Sequence, residues 1–149
     1  MTSGSKEPAS SRSTRSFDSI TVGDTLPTLE VPLTRKLIIG AAIASRDYQD
    51  VHHDPVLAKE RGSPDIFMNI LTTNGFVGRF VTDWAGPEAI LRKVDIRLGA
   101  PNYPDDTMIL EGSVTARDES EHTLEVSLRG RNGIGDHVTG KVIVAFPCN

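Results

Sequence analysis

Residues 66–85, IFMNILTTNGFVGRFVTDWA, form the stretch that decides the fold. They are apolar or small on nearly every side of a helix, which predicts a helix buried on most sides rather than along one stripe. Ser63 or Asp65 can cap its start, and Gly86 with Pro87 supplies a stop. A run of this length, roughly 30 Å, would also span a membrane, but four polar or charged side chains interrupt it: Asn69, Asn74, Arg79 and Asp83. We therefore predict a core helix.

After Pro87 the apolar pattern changes to alternate residues, which is typical of strands. Four runs alternate in this way, at 94–98, 108–114, 124–128 and 138–146. Turn residues separate the later runs at 117–122 and 131–136. Strands that follow one buried helix predict an α+β fold in which an antiparallel sheet wraps around that helix. This arrangement is the hot-dog architecture.

The chain before the core helix is predicted to carry shorter elements. Residues 17–33 alternate loosely between turn residues and prolines, which predicts short edge strands or extended chain. Thr34 is a suitable N-cap for a helix over 35–45, where apolar residues recur every three or four positions. A second, short helix is predicted over 56–60 and ends at Gly62.

Composition limits the number of domains, the partners and the compartment. The 149 residues are most simply one domain, which we place at 17–147 after a Ser- and Arg-rich disordered tail at 1–16. A net charge of −4 without a basic stripe argues against a nucleic-acid partner. The tail lacks the apolar segment of a secretory signal, and the single cysteine, Cys148, permits no intramolecular disulfide. We therefore expect a cytoplasmic protein without a membrane partner.

Residues 45–54, SRDYQDVHHD, concentrate the candidate chemistry, with three carboxylates and two histidines. Asp47 and His52 are five positions apart and do not share one helix face, but a helix that stops near Ser45 and continues as a bent loop could bring them together. A carboxylate beside an imidazole provides a base and an acid that work near neutral pH. Two alternatives stay open: a solvated loop, or a metal site, although no further ligand stands at a recognised spacing.

The same ten residues resemble the hydratase motif of the MaoC-like hot-dog proteins, Ser-Gly-Asp-x-Asn-Pro-(Leu/Ile/Val)-His-x-Asp. The positions that match are Ser45, Asp47, Val51, His52 and Asp54. The motif's Gly, Asn and Pro are replaced by Arg46, Gln49 and Asp50. The likeness runs from about residue 17 to about 147. Three segments resemble one branch of the family more closely, the branch that hydrates steroid side-chain enoyl-CoA thioesters. These segments are RDYQDVHHD, DIFMNILT and VTDWAGP.

The family resemblance also covers two sites outside this motif. Residues 101–107 are similar to the family's Pro-x-x-Pro-Gly-Asp-Thr turn, with Asp105 in place of Gly, and we interpret them as structural. The family usually has His-Gly where this chain has Met68 and Asn69. The two remaining histidines, His122 and His137, fall in a turn and at a strand start, so we predict that both lie on the surface.

The resemblance implies an enoyl-CoA hydratase of lipid metabolism, in steroid and cholesterol degradation. Asp47 would take a proton from water, and His52 would hold the same water and pass a proton on, on one face of the double bond, which gives an (R)-hydroxyacyl product. The backbone N–H of Asn69 would meet the thioester oxygen, at a helix start where unpaired donors converge. Gln49 and Arg46 are further candidates for substrate binding; Arg46 would meet a CoA phosphate, a partner carboxylate or only solvent.

The resemblance implies no metal and no cofactor, since a coenzyme A thioester is the substrate. It implies a second MaoC-like subunit that lacks the catalytic pair, in an α2β2 heterotetramer, and it leaves open an aldolase, acting next in the pathway, as a further partner. The small residues at 72–75 could line the space for a fused ring system. Two other functions remain: an acyl-CoA thioesterase on the same fold, or a non-catalytic structural subunit.

Overall fold

The computed structural model describes residues 12–148. Three α-helices are present in this part of the chain: α1 (Arg35–Ala44), α2 (Pro55–Glu60) and α3 (Ile70–Ala85). The five strands are β1 (Leu29–Leu33), β2 (Ile90–Leu98), β3 (Asp106–Asp118), β4 (Thr123–Asn132) and β5 (Gly135–Ala145). Between residues 12 and 148, no helix has the length and apolar character needed to cross a membrane.

The strands form one antiparallel sheet in the order β1-β3-β4-β5-β2. Consecutive strands β3, β4 and β5 pair as hairpins, whereas β2 pairs with β5 and therefore lies at one edge. The short strand β1 pairs with β3 at the other edge, with Val31 opposite Met108. The predicted strand pattern and the predicted edge position of the early segment are both present in the structure.

Helix α3 packs across the sheet with its apolar side. Val77 and Val81 are fully buried in one core with strand residues such as Leu110 and Val126. The opposite side of the first turns is open, because Ile70 and Leu71 are each 49% exposed. The prediction that this helix is buried on most sides is therefore wrong for its N-terminal half, since α1 covers only part of its outer side.

The start of α3 also differs from the prediction, because the helix begins at Ile70 rather than at residue 66. The backbone N–H of Phe67 donates to Val51 O (3.1 Å) and that of Met68 donates to Asn102 O (3.0 Å). These bonds to distant segments hold the chain before Asn69 in a non-helical course. Asn69, rather than Ser63 or Asp65, is the N-cap. The predicted cap of α1 is correct, because Thr34 accepts a hydrogen bond from Leu37 N at 3.1 Å.

Residues 12–16, which the sequence assigned to the tail, lie against the C-terminal end of α3. The backbone N–H of Arg15 donates to Ala85 O at 2.9 Å, and its guanidinium donates to Trp84 O at 2.9 Å. Thr14 accepts a hydrogen bond from Glu88 N at 2.9 Å. These five residues therefore belong with the domain. Residues 1–11 of the predicted tail lie outside the described part of the chain.

Neither histidine that was predicted on the surface is fully exposed. The ring of His122 is half-buried and stacks on Phe17, with ring centroids 4.7 Å apart. His137 is 2% exposed and lies at the start of β5, close to the N-terminal end of α3. A polar residue after a tight turn is usually solvated, but here the first residues of β5 pair with the segment that follows β2. Gly99 N donates to His137 O at 2.7 Å, and Ala100 N donates to Asp136 O at 2.8 Å. This position makes His137 relevant to the candidate site.

Candidate active site

A sharp turn after α1 sets the direction of the motif loop. Ser45 ends the helix, and the next two backbone N–H groups donate back into its last turn, Arg46 to Ile43 O and Asp47 to Ala42 O, both at 3.0 Å. Arg46 has a φ of +58°, a left-handed conformation that favours glycine. This backbone requirement accounts for the Gly of the family motif. Asp105, which replaces the Gly of the second family turn, likewise has a φ of +67°.

His52 lies in a single 3-10 turn at Asp50–His52 and is 7% exposed. Its Nδ1 lies 2.7 Å from Phe67 O, a carbonyl that can only accept, so Nδ1 carries the proton of the neutral ring. The other ring nitrogen, Nε2, lies 3.4 Å from Asp47 Oδ2. The bent loop therefore brings Asp47 and His52 together, as the spacing allowed.

The Asp47 carboxylate is held by two hydrogen bonds. Its Oδ2 accepts from Asn69 Nδ2 at 3.0 Å, and its Oδ1 accepts from Gln49 N at 3.4 Å. The Asn69 amide is the main cause that holds the pKa of Asp47 below its usual value of 3.8; partial burial opposes this, and the Gln49 N–H and the nearby histidines add to it. Asp47 is therefore ionised at neutral pH.

The facing atoms of Asp47 and His52 can bind a molecule that donates two hydrogen bonds. In the tautomer set by Phe67 O, both Asp47 Oδ2 and His52 Nε2 present lone pairs to each other across 3.4 Å. Two acceptors at this distance do not bond directly, but a water molecule can donate one hydrogen to each. The arrangement therefore suits a bound water from which a base removes a proton.

The N-terminal end of α3 supplies candidate donors to an anionic oxygen. Asn69 is 1% exposed, so this residue is buried at the helix start rather than solvated. Its backbone N–H and that of Ile70 meet no acceptor within residues 12–148. Unpaired N–H groups at a helix start, aided by the helix dipole, are suited to stabilise an oxyanion. The role of Asn69 N–H as the oxyanion donor stays a prediction.

The remaining polar residues of the motif loop have structural partners. Asp50 forms an ion pair with Arg61 (2.6 Å), and Asp54 caps α2 by accepting from Val56 N at 2.9 Å. The side chains of Arg46 and Gln49 are exposed and form no hydrogen bond or ion pair within residues 12–148. The structure therefore does not join these two predicted substrate contacts to the Asp47–His52 pair.

No group of three or more metal-ligating side chains occurs within residues 12–148. Asp50 and Asp54, the other carboxylates of the loop, are engaged by Arg61 and by the α2 backbone. His53 points its Nε2 toward Tyr48 O, at 3.3 Å. Of the five candidate groups in this loop, the structure joins only Asp47 and His52.

Two cavities lie near the pair, and His52 lines one of them. One is an apolar groove of about 410 Å³ between α1 and α3. We call it the α1–α3 groove; its lining residues include Leu37, Ala41, Ala44, Ser45, Thr72, Gly75 and Phe76. The second cavity, of about 270 Å³, is lined by His52, Phe67, Met68, Leu98, Pro101 and His137. Of the small residues at 72–75, Thr72 and Gly75 face the groove, whereas Thr73 is fully buried.

His137 is a second buried histidine at this cavity, and sequence reasoning missed it. Its Nδ1 donates to Ala100 O at 2.7 Å, so its Nε2 accepts from Thr73 Oγ1 at 2.8 Å. Burial lowers the pKa of His137 below its usual value of 6.5, and the bond to Ala100 opposes this only in part. The surface prediction for His137 rested on its position at a strand start, and nothing in the local sequence signalled burial.

Comparison with known proteins identifies the family of this chain. No family model matches the sequence. A protein of Mycobacterium tuberculosis (strain ATCC 25618 / H37Rv), the 3-oxo-4,17-pregnadiene-20-carboxyl-CoA hydratase beta subunit, is 49% identical over 121 residues, which cover 81% of this chain and 92% of that protein. The chain belongs to the MaoC-like hydratase family. The sequence resemblance to MaoC-like hydratases is thereby confirmed.

Solved structures agree with this family assignment. The crystal structure of the ChsH1-ChsH2 complex from Mycobacterium tuberculosis matches with a TM-score of 0.82 and 46% identity, over 85% of this MaoC-like chain and 98% of the matched one. A MaoC-like dehydratase matches with a TM-score of 0.83 and 25% identity, over 93% of this chain and 44% of the other. The α+β hot-dog fold and the assignment as a hydratase are confirmed.

Proposed function

We propose that this chain is the catalytic subunit of a heteromeric enoyl-CoA hydratase that acts on a steroid side-chain acyl-CoA. The observation that carries the proposal is the Asp47–His52 pair, whose acceptor atoms face each other at 3.4 Å beside unpaired N–H groups at the start of α3. The pair suits water, and the helix start suits an enolate oxygen. Both groups are required to add water to an α,β-unsaturated thioester.

These positions support the following reaction. Ionised Asp47 accepts a proton from the water that it shares with His52, and the water oxygen forms a bond to the β-carbon. The electrons of the double bond move onto the thioester oxygen, where the backbone N–H of Asn69 stabilises the enolate. The proton held by the pair then passes to the α-carbon, so that one H and one OH are added. No metal, redox partner or leaving group enters this balance.

The α1–α3 groove supports a bulky acyl group. Its volume of about 410 Å³ lies within the usual range for small-molecule sites. Ala41, Ala44 and Gly75 line it with small side chains, which leaves width for fused rings. Ser45 lines the groove and also bonds Asn69, so the groove reaches the residue that holds Asp47. The named relative acts on a pregnadiene carboxyl-CoA, which agrees with this substrate class.

A second subunit is proposed for the open edge of the sheet. The free side of β2 can pair with another strand, and Ile90 and Leu98 on that strand are exposed. The matched crystal structure is a complex of two named chains, which supports a heteromer. We propose two copies of each subunit, with a partner that lacks the Asp/His pair. A cytoplasmic location and an aldolase as a further partner stay predictions.

Co-expression with a candidate MaoC-like partner tests this function. We expect a complex with two copies of each chain by native mass spectrometry, and hydration of a steroid side-chain enoyl-CoA that the isolated chain performs weakly. The control is the same complex with Asp47→Asn, which should be nearly inactive. Release of free CoA without a hydroxyacyl product would indicate a thioesterase instead. Full activity of the Asp47→Asn complex would identify this chain as a structural subunit.

A further inference from the structure

The side chain of Asn69 joins three parts of the site. Its Oδ1 accepts from Thr72 N at 3.0 Å and thereby caps α3. Its Nδ2 donates to Ser45 Oγ and to Asp47 Oδ2, both at 3.0 Å. Both amide hydrogens and the amide oxygen are therefore used, in a side chain that is 1% exposed. A helix cap alone requires only the oxygen.

The direction of this amide is set by its partners. Oδ1 faces the backbone N–H of Thr72, a group that can only donate. On the other side, the Ser45 hydroxyl gives its hydrogen to Ala41 O at 2.8 Å and presents a lone pair to Asn69. The amide therefore has one satisfactory orientation, with its NH₂ group toward Asp47. Thermal rotation of the amide would break all three bonds together.

This network connects the proposed base to the proposed oxyanion donor through one residue. Asp47 is carried by the loop after α1, whereas the backbone N–H of Asn69 belongs to the start of α3. The Asp47–Asn69 bond joins these two elements across 22 positions of sequence. A Gly at residue 69, as the family usually has, would retain the backbone donor but would leave Asp47 Oδ2 without this partner.

We propose that the Asn69 side chain is a positioning residue for hydration: it holds the Asp47 carboxylate at a fixed separation from the backbone N–H of Asn69, so that the water and the thioester oxygen are aligned. This inference rests on the proposed role of Asp47. A misplacement of about 1 Å between reacting groups can cost on the order of 100-fold in rate. Such a loss appears in kcat, because the substrate still binds in the same groove.

Two variants of the complex separate positioning from capping. Asn69→Ser retains an oxygen for Thr72 N but has no N–H that reaches Asp47. We expect kcat to fall roughly 10–100-fold with KM within about 3-fold. The melting temperature should fall by only a few degrees, because the bonds to Ser45 and Asp47 are lost while the cap is kept. Thr34→Ala is the matched control, because it removes the N-cap of α1 without touching Asp47. It should lower the melting temperature and leave kcat unchanged.

The double variant Asn69→Ser with Asp47→Asn shows whether Asn69 acts through Asp47. If it does, adding Asn69→Ser to the Asp47→Asn complex should cost less than about 3-fold, because the group that it positions is already lost. The same 10–100-fold loss in both backgrounds would overturn the inference. Wild-type kcat in Asn69→Ser, beside an inactive Asp47→Asn, would also overturn it and leave the proposed function intact. Full activity in both single variants would instead refute the proposed function.

Asn69→Asp keeps the inference testable if Asn69→Ser folds poorly. It preserves the shape and the cap acceptor, but at neutral pH it sets a second carboxylate against Asp47. Two carboxylates this close raise one pKa of the pair, so a proton returns between them as the pH falls. We expect the kcat of Asn69→Asp, relative to wild type, to recover toward acid pH. A constant ratio across the pH range would contradict the inference, since a purely structural role has no such pH dependence.

Discussion

His52 and His137, the two buried histidines within residues 12–148, differ mainly at one nitrogen. Each donates its Nδ1–H to a backbone carbonyl at 2.7 Å, from Phe67 in one case and Ala100 in the other. Both line the same cavity beside α3. The Nε2 of His137 is satisfied by the Thr73 hydroxyl at 2.8 Å, whereas that of His52 faces the Asp47 carboxylate.

The difference shows what makes a buried histidine reactive. Both histidines are buried and both have the same tautomer, so neither property by itself identifies the chemical role. The hydroxyl of Thr73 donates to His137 and completes its hydrogen bonds. The Asp47 carboxylate only accepts hydrogen bonds, so it cannot donate to His52 Nε2. This nitrogen therefore requires a donor from a bound molecule such as water. We therefore expect chemistry at His52 and a structural role at His137.

The largest effect should come from substitutions in the Asp47–His52 pair, whose facing atoms both lack a donor. Asp47→Asn and His52→Ala should each lower kcat of the complex by about 10²–10⁴-fold, because each removes a positioned acid or base. The double variant should be little worse than either single one, since the two groups act on one water. Steady-state hydration kinetics measure this. His53→Ala, one position away, is the control and should stay within a few-fold of wild type.

The second effect concerns the His137–Thr73 pair, in which the hydroxyl completes the hydrogen bonds of the imidazole. His137→Ala leaves Ala100 O and the Thr73 hydroxyl without their buried partner, at roughly 1–3 kcal/mol for each lost partner. We expect a lower free energy of unfolding in urea, while kcat in the folded complex stays within a few-fold of wild type. A loss of kcat as large as that of His52→Ala, with unchanged stability, would contradict the structural role.

A smaller effect should appear in the pH dependence of stability. Because the pKa of folded His137 lies below 6.5, the unfolded chain binds more protons than the folded one as the pH drops below about 6.5. Stability from this group is therefore complete above that pH and declines toward acid. The stability difference between wild type and His137→Ala should shrink between about pH 7.5 and 5.5. An equal difference at both ends would show that His137 does not titrate in this way.

The smallest effect is expected in the loop that carries His52. This loop contains a residue with a strained backbone conformation, whereas the strand that carries His137 does not begin with one. Arg46 has a φ of +58°, a left-handed conformation that costs a residue with a side chain roughly 1–2 kcal/mol. A change to Gly removes this cost, but it also increases the entropy of the unfolded chain, which offsets part of the gain. We expect Arg46→Gly to raise the free energy of unfolding by up to about 1 kcal/mol. A rise in KM for the CoA thioester, with kcat retained, would assign Arg46 to substrate binding.

Much of the fold could be predicted because hydrophobic periodicity reports burial within a single element. The alternation at 94–98, 124–128 and 138–146 matches β2, β4 and β5, and the apolar run before it contains α3. The spacing of Asp47 and His52 excluded a shared helix face and required a bend, which the turn at Arg46 provides. Local patterns therefore determined the elements, the sheet around the helix and the candidate pair.

Only the tertiary structure decided where α3 begins and what surrounds the pair. Val51 O and Asn102 O take the backbone N–H groups of Phe67 and Met68, so the helix starts four residues later than the apolar pattern predicts. Asn69 meets Asp47 across 22 positions, and His137 meets Thr73 across 64. Hydrogen bonds of this kind depend on where distant segments meet. No local periodicity carries that information, because a polar residue looks the same in sequence whether water or a distant partner satisfies it.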